Sequence, residues 1–290
     1  MYGLYGWLGH HEAPDSLHDL LAPILHPDNT GLLQSTGGQY GVGLRDAFGR
    51  SALLARDGLV IALHGRPSFK RADLAGLARE HTPAEAVWVA WREDSAEALR
   101  HLGGSFALAV LQPAADKAWL AVDRMGIERL CFAAGKDQLA FSTSAHAVAC
   151  HPAVGRQIDL QSIYDFFYFH VVPSPGTVYQ KVEKLLPGEV LSYDRGTVTR
   201  RFYWAMDYTP KGDRSFPAFR KDFREHLTTG VKHSLDSSRA GAFLSGGTDS
   251  STVVGTLTAV QGHPAETFSI GFDAEGFDEM EYARIAAHRF

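Results

Sequence analysis

The ten residues Phe243–Thr252, FLSGGTDSST, set the strongest limit on the architecture of this chain. They follow one short apolar run and precede another, which predicts a tight turn between a buried strand and a helix. Adjacent glycines lack Cβ atoms, so the backbone of such a turn can come close to a ligand. In parallel sheets these turns lead into helix N-termini, which carry unpaired amide donors and a partial positive charge. The stretch therefore predicts an anion-binding loop in an α/β domain.

The side chains of this loop narrow the choice of anion. Ser245, Ser250 and Ser251 can add hydroxyl donors to a phosphate that the glycine backbone holds. Asp249 would repel a bare phosphate, so its presence predicts a Mg²⁺ ion shared with the phosphates. Neither GxxxxGK[ST] nor GxGxxG occurs here, which excludes the two common nucleotide loops. The alternative is a purely structural turn in which Ser and Asp side chains cap the helix.

The residues around the loop follow a strand–helix rhythm. Strands are predicted at Ala242–Leu244 and Thr267–Phe272, and helices at Phe216–Leu235, Ser250–Val260 and Glu279–His288. This order predicts a parallel sheet flanked by helices.

The first two hundred residues have a different pattern, with many short strands and few helices. Strands are predicted at Tyr40–Leu44, Ser51–Ala55, Leu59–Leu63, Ser105–Leu111, Ala118–Asp123, Leu130–Ala134 and Gln138–Ser142, with a hairpin at Gly188–Tyr203. Helices are predicted at Arg71–Glu80, Ala84–Trp91 and Leu160–Phe169, the last with Asp159 as its N-cap. The mixture predicts an α+β layered sandwich. The polar segment Met206–Ser215 is suited to a linker between the two parts.

Several segments together resemble one family. SGGTDSS is similar to the SGGxDS pyrophosphate loop of ATP pyrophosphatases, and TFSIGFDAEGFDEMEYARIAAHRF resembles the following strand and helix of asparagine synthetases. Upstream, DRMGIERLCF, LAFSTSAHAV, PSPGTVYQKVEKLLPGEVL and RFYW resemble that family in the same order. The resemblance implies an Ntn-hydrolase-like αββα sandwich in residues 1–205, of the glutamine amidotransferase type 2. It implies that residues 216–290 begin an asparagine synthase domain of the adenine-nucleotide alpha-hydrolase (PP-loop) type.

The resemblance also implies residue roles in the second domain. The residues that would hold the phosphates, together with a Mg²⁺ ion at Asp249, are Ser245, Gly246, Gly247, Asp249, Ser250 and Ser251. Leu244 and Ile270, at adjacent strand ends, would border the adenosine of ATP. Thr248 replaces the leucine that is common in the family's loop.

The first domain departs from the family at its glutamine pocket. Family members that use glutamine begin MCG, and the cysteine thiol is the nucleophile; here Tyr2 takes that place. A phenol with a pKa near 10 cannot replace a thiol with a pKa of about 8.5. His64, Gly65 and Arg66 stand where the family has Asn-Gly-Glu, and Pro83 where it has Asp. These losses predict a silent glutaminase domain, as in β-lactam synthetases and lasso-peptide cyclases.

The implied activity is ATP-dependent carbon–nitrogen ligation through an acyl-adenylate, with release of AMP and pyrophosphate. The partners would be a small-molecule or peptide carboxylate and an amine or ammonia. The alternative is a pseudoenzyme that binds a nucleotide or a partner chain. The family's synthetase domains continue further, so we also expect a truncated fragment, a split enzyme with a missing C-terminal half, or a homodimer.

Composition excludes several other classes of protein. The 28 basic and 33 acidic residues show no block of like charge, which argues against nucleic acid and membrane partners. Cys131 and Cys150 are the only cysteines in the sequence, which predicts free thiols and, without a signal peptide, a cytoplasmic protein. His10, His11 and His18 lack the spacing of zinc ligands.

Overall fold

The chain forms two compact units, Met1–Asp207 and Tyr208–Phe290, each with a core of its own. The computed structural model describes residues 3–9, 31–45, 49, 51–209, 212, 214–235, 240–273 and 278–290.

The first unit contains two six-stranded antiparallel sheets. Sheet A consists of β1 (Gly3–Gly9), β2 (Leu32–Gly37), β3 (Tyr40–Arg45), β8 (Cys131–Gly135), β9 (Gln138–Ser142) and β10 (Glu183–Lys184). Sheet B consists of β4 (Ser51–Arg56), β5 (Leu59–Phe69), β6 (Leu102–Gln112), β7 (Lys117–Val122), β11 (Glu189–Asp194) and β12 (Thr197–Phe202). The strand orders are β10-β8-β9-β1-β3-β2 and β12-β11-β7-β6-β5-β4.

The inner faces of the two sheets share the main hydrophobic core. Leu4 and Leu8 of β1 and Phe141 of β9 belong to the same buried cluster as Val60 and Ala62 of β5. Side chains alternate along a strand, so every second residue of β1 and β5 enters this core.

Helices cover both outer faces of the sandwich. Helices α1 (Ala72–Glu80) and α2 (Pro83–Asp94) pack on the outer face of sheet B, against Ile61 and Leu63 among others. Helix α3 (Ala145–Ala149) packs on sheet A with Cys131, and α4 (Leu160–Phe169) follows. Two 3-10 helices span Ser95–His101 and Pro113–Ala115. The four layers confirm the predicted αββα sandwich.

Side-chain caps begin helices in the first unit, and Asp159 is the cap that the sequence predicts. The Asp159 carboxylate accepts the backbone N–H of Ser162 at 3.1 Å, as expected of the N-cap of α4. Its hydrogen bond from the Ser162 hydroxyl lowers the pKa of Asp159. Helix α2 begins with Pro83 at its first position, and the Thr82 hydroxyl accepts the N–H of Glu85 at 3.2 Å.

Strand β1 is not predicted from the sequence, because GLYGWLG contains three glycines and glycine disfavours strands. Packing accounts for the glycines. A Cβ atom on Gly6 would lie 2.4 Å from the Phe141 ring, and one on Gly41 of β3 would lie 2.0 Å from the Trp7 ring. Large aromatic neighbours therefore fill the space beside Gly6 and Gly41.

The second unit contains a short parallel sheet with three helices. Its elements are α5 (Phe216–Ser234), β13 (Gly241–Phe243), α6 (Thr248–Gln261), β14 (Glu266–Phe268) and α7 (Met280–Arg289). Strands β13 and β14 pair in parallel, as predicted, although β14 ends at Phe268 rather than Phe272. The core consists of Leu244, Val254, Ala283 and Ala286.

The described residues can also be searched for membrane-spanning helices, metal ligands and reactive thiols. Within them, no helix combines the length and apolarity needed to cross a membrane. No group of three or more His, Cys, Asp or Glu in the same residues could hold a metal ion. His10, His11 and His18 lie outside the described residues. Cys131 is buried and Cys150 half-buried, both as free thiols, and burial raises the pKa of Cys131 to about 11.

Candidate nucleotide site

The glycine loop joins β13 to α6 in a conformation that depends on Gly246. The φ angle of Gly246 is 86°, in the left-handed region that favours glycine. A Cβ atom there would lie 2.5 Å from the backbone of Tyr282 and Ala283 in α7. Gly246 is therefore required by the fold of the loop, whatever the loop binds.

Gly247 differs from Gly246 because the fold does not require a glycine there. Its φ and ψ angles of −68° and 161° are open to any residue. The nearest heavy atom to an ideal Cβ is the Ser245 hydroxyl at 3.4 Å, which is an ordinary contact. A missing side chain at this position leaves the backbone open to close approach by a ligand.

Serine hydroxyls hold the loop in shape. The Ser250 hydroxyl donates to the Gly247 carbonyl at 3.2 Å and accepts the Ser245 N–H at 3.3 Å. The hydroxyls of Ser245 and Ser250 lie 3.1 Å apart. The N-cap of α6 is Gly247, without a side-chain cap, so the alternative of Ser or Asp as the N-cap residue is not how this helix begins.

Asp249 lies in the first turn of α6 with an exposed side chain. Within the part of the chain that the structure describes, its carboxylate has no hydrogen bond or ion pair. The first turn of a helix presents unpaired N–H groups and the positive end of the helix dipole. An anion can bind these groups, and a hard cation such as Mg²⁺ can join that anion to the Asp249 carboxylate.

A cleft of about 350 Å³ opens beside the loop, at the ends of β13 and β14. Its walls are largely apolar and include Phe243, Leu244, Phe268, Ile270 and Phe272. Hydrogen bonds fix the two strand ends, since Leu244 N–H donates to the Phe268 carbonyl at 2.9 Å. The structure thus brings all the predicted nucleotide-binding residues to one loop and one cleft. Phe272 and Met280 also line the cleft and are absent from the predicted set.

Gly246→Ala is expected to destabilise the second unit by about 2 kcal/mol or more, because of its positive φ angle and the contact with α7. Hydrogen exchange measured by mass spectrometry on peptides from residues 240–273 should show faster exchange. The matched control is Gly230→Ala in α5, where no atom lies within 4 Å and alanine favours the helix. Equal exchange in the two variants would contradict this prediction.

The residues predicted to form a degenerate glutamine pocket do not all come together in the structure. His64, Gly65 and Arg66 are consecutive in β5, and the His64 Nδ1 atom lies 2.8 Å from the Ser51 hydroxyl. Alternation along β5 places the His64 side chain on the inner face, with Val60 and Ala62. Tyr2 lies outside the described residues.

The structure does not place Pro83 on the same face of sheet B as His64. Pro83 begins α2, which packs on the outer face against Ile61 and Leu63. The Glu85 carboxylate, two residues further on, lies 4.0 Å from the Arg56 guanidinium. Pro83 thus has a structural role at a helix start, and its place in a glutamine pocket stays a prediction.

Asp123 organises the backbone around it, and no sequence motif predicts this role. Its side chain is 1% exposed, and its carboxylate accepts four backbone N–H groups, from Phe106, Met125, Ile127 and Glu128. It therefore fixes the turn between β7 and β8. The only sequence signal is its position, directly after an apolar strand and three residues before Gly126.

Comparisons with known proteins match different families to the two units, Met1–Asp207 and Tyr208–Phe290. Residues 71–204 match a family model described as a glutamine amidotransferase domain, and residues 222–290 match one described as asparagine synthase. The chain is 28% identical over 206 residues to "Asparagine synthetase [glutamine-hydrolyzing] 1" of Bacillus subtilis (strain 168), covering 70% of this chain and 32% of that protein. A putative asparagine synthetase of Methanocaldococcus jannaschii is 25% identical over 216 residues, with 72% and 41% covered.

A solved structure of glutamine phosphoribosylpyrophosphate amidotransferase from B. subtilis, complexed with ADP and GMP, is 16% identical. Its TM-score is 0.46, over 91% of this chain and 65% of that one.

The two matched models thus place a segment similar to a glutamine amidotransferase domain before one similar to asparagine synthase. The chain is similar to asparagine synthetases, over their N-terminal domain and the start of their synthetase domain. It spans about a third of the length of the B. subtilis relative.

Proposed function

We propose that this chain carries the nucleotide-binding part of an ATP-dependent carbon–nitrogen ligase. The observation that carries the proposal is Gly247, a glycine that its own fold does not require, at the start of a helix and beside an apolar cleft. In this proposal residues 1–205 form the amidotransferase-like domain, and residues 216–290 begin the synthetase domain.

The reaction begins when a carboxylate oxygen of the substrate attacks the α-phosphorus of ATP. The bond from that phosphorus to the bridging oxygen breaks, and pyrophosphate leaves toward the N-terminus of α6. An amine or ammonia then attacks the acyl carbon of the acyl-adenylate, and AMP departs. The N–H groups of the first turn and the Ser245 and Ser251 hydroxyls stabilise the charge on the leaving group.

The donor set of the loop suits a magnesium ion. The exposed Asp249 carboxylate is a hard oxygen ligand that has no competing partner among the described residues. A Mg²⁺ ion bound there would offset the charge that develops on the pyrophosphate oxygens.

The glutaminase half is proposed to be silent. Tyr2 stands at the position of the family's nucleophilic cysteine, and His64 and Arg66 replace the residues that would bind glutamine. Purified protein should therefore release no glutamate from glutamine above the background rate, as measured by a coupled glutamate dehydrogenase assay. Glutamate release at an enzymatic rate would contradict this part of the proposal.

Gly247→Ala provides the test of nucleotide binding. The added methyl group fits the free loop but occupies the space in which a phosphate would approach the backbone. We expect isothermal titration of the full chain with MgATP to show at least 10-fold weaker binding for this variant, with unchanged thermal stability.

The control for this titration is Gly230→Ala, which lies in α5 away from the loop and should retain the affinity of the unmodified chain. Equal affinities for Gly247→Ala and the unmodified chain would refute the site. Tight binding of ATP without pyrophosphate release would instead identify the pseudoenzyme.

A further inference from the structure

A hydroxyl, an imidazole and a carboxylate lie near one another beside β4, the edge strand of sheet B. Ser51 begins β4 and pairs directly with His64 of β5 in the antiparallel register. The Ser51 Oγ atom lies 2.8 Å from His64 Nδ1. The other ring nitrogen, Nε2, lies 3.9 Å from the Glu128 Oε2 atom. These are the three kinds of group that activate a serine nucleophile in hydrolases.

The backbone holds this array in place. The Glu128 N–H donates to the buried Asp123 carboxylate at 2.9 Å, which fixes the start of the glutamate side chain. Gly65 has a φ angle of 114°, and an ideal Cβ there would lie 3.0 Å from Glu128 Cγ and 2.5 Å from the Ser105 carbonyl oxygen. Residue 65 therefore has to be a glycine for β5 to pack this closely against Glu128.

The array is also reachable from solvent. The His64 side chain is 13% exposed and the Glu128 side chain 26% exposed, while Ser51 is half-buried. A small acyl group can thus approach the hydroxyl, whereas the imidazole is shielded enough to keep its orientation.

We propose that Ser51 is a nucleophile for acyl transfer from small activated esters, with His64 as its general base. Ser51 Oγ bonds to the acyl carbon while its proton passes to His64 Nδ1. The ester C–O bond breaks, and the leaving alkoxide takes that proton from the imidazole. Water, deprotonated by the same nitrogen, then cleaves the acyl-serine, releases the carboxylic acid and restores the hydroxyl. Glu128 acts as a positioning residue that stabilises the imidazolium.

The first test is covalent labelling of the full chain with a fluorophosphonate probe, with the adduct located by peptide mass spectrometry. We expect one adduct per chain, on Ser51, and no adduct in Ser51→Ala. His64→Gln should slow labelling about 100-fold, the usual contribution of a general base. The matched control is Ser68→Ala, an exposed hydroxyl on the same strand as His64, which should label like the unmodified chain.

Two further variants distinguish the loss of this chemistry from a loss of folding. Ser51→Cys keeps the size of the side chain and should exchange fluorophosphonate labelling for rapid alkylation by iodoacetamide. Glu128→Gln should lower kcat for p-nitrophenyl acetate by about 3- to 10-fold with an unchanged KM, a split that a purely structural role would not produce. The proposal is overturned if the unmodified chain takes no label, or if the label maps to another residue. A labelling rate that is insensitive to His64→Gln would also overturn it.

Discussion

Asp123→Asn is expected to lower the free energy of unfolding of the first unit by about 3 kcal/mol, since a buried acceptor becomes in part a donor. Each carboxylate oxygen of Asp123 accepts two backbone N–H groups. An asparagine keeps one acceptor oxygen for two of these N–H groups, but its NH₂ group faces the other two N–H groups, which are donors as well. Because residue 123 is only 1% exposed, two backbone N–H groups then lose their acceptor without gaining water in its place.

Urea unfolding followed by tryptophan fluorescence measures this change, because all five tryptophans lie within Met1–Asp207. The matched control is Asp137→Asn, an exposed carboxylate in the turn between β8 and β9, which should change stability by less than about 0.5 kcal/mol. Similar unfolding midpoints for the two variants would show that the amides around Asp123 find other acceptors.

Asp249→Asn is expected to reduce carboxylate-dependent pyrophosphate release about 1000-fold, because it removes the ionised ligand that joins Mg²⁺ to the phosphates. Folding should change little. An acidic side chain in the first turn of a helix contributes about 0.3 to 1 kcal/mol at the surface, and only this is lost. Coupled detection of pyrophosphate with candidate carboxylates measures the reaction, and thermal unfolding measures stability.

The control is Glu225→Gln, an exposed carboxylate on α5 that pairs only with Lys221 among the described residues, at 3.8 Å. It should retain full pyrophosphate release. If Asp249→Asn also retains it, then Asp249 does not hold the metal, even if the nucleotide binds the loop.

Local sequence accounts for much of the fold. Strands with clear alternation or β-branched residues, such as β6 and β7, are predicted close to their observed positions, whereas β5 begins at Leu59 as predicted but continues to Phe69 rather than ending at Leu63. Helix α4 begins where Asp159 predicts it. Strand β1 is missed because its glycines are set by distant residues, such as Phe141 beside Gly6 and Thr143 beside Gly3, and no local pattern contains that information.

Some residues of the candidate site are likewise predictable from local sequence, and others depend on tertiary packing. The loop residues Ser245 to Ser251 are predictable because the groups that hold a phosphate are consecutive in the chain. The cleft walls at Phe272 and Met280 depend on the packing of α7, and spacing alone does not tell which face of a sheet the helix after Pro83 covers. The four amides on Asp123 depend on a turn whose shape the sequence does not specify.

The position of β1 has a consequence for biosynthesis. This strand precedes both of its partners in the chain, yet it lies in the middle of sheet A, between β3 and β9. One of its edges can find a partner soon, whereas the other waits until Gln138–Ser142 have been translated. The second edge of β1 therefore stays unpaired while the residues between Gly9 and Gln138 are synthesised, and such an open edge exposes the nascent chain to aggregation and makes it a client for chaperones.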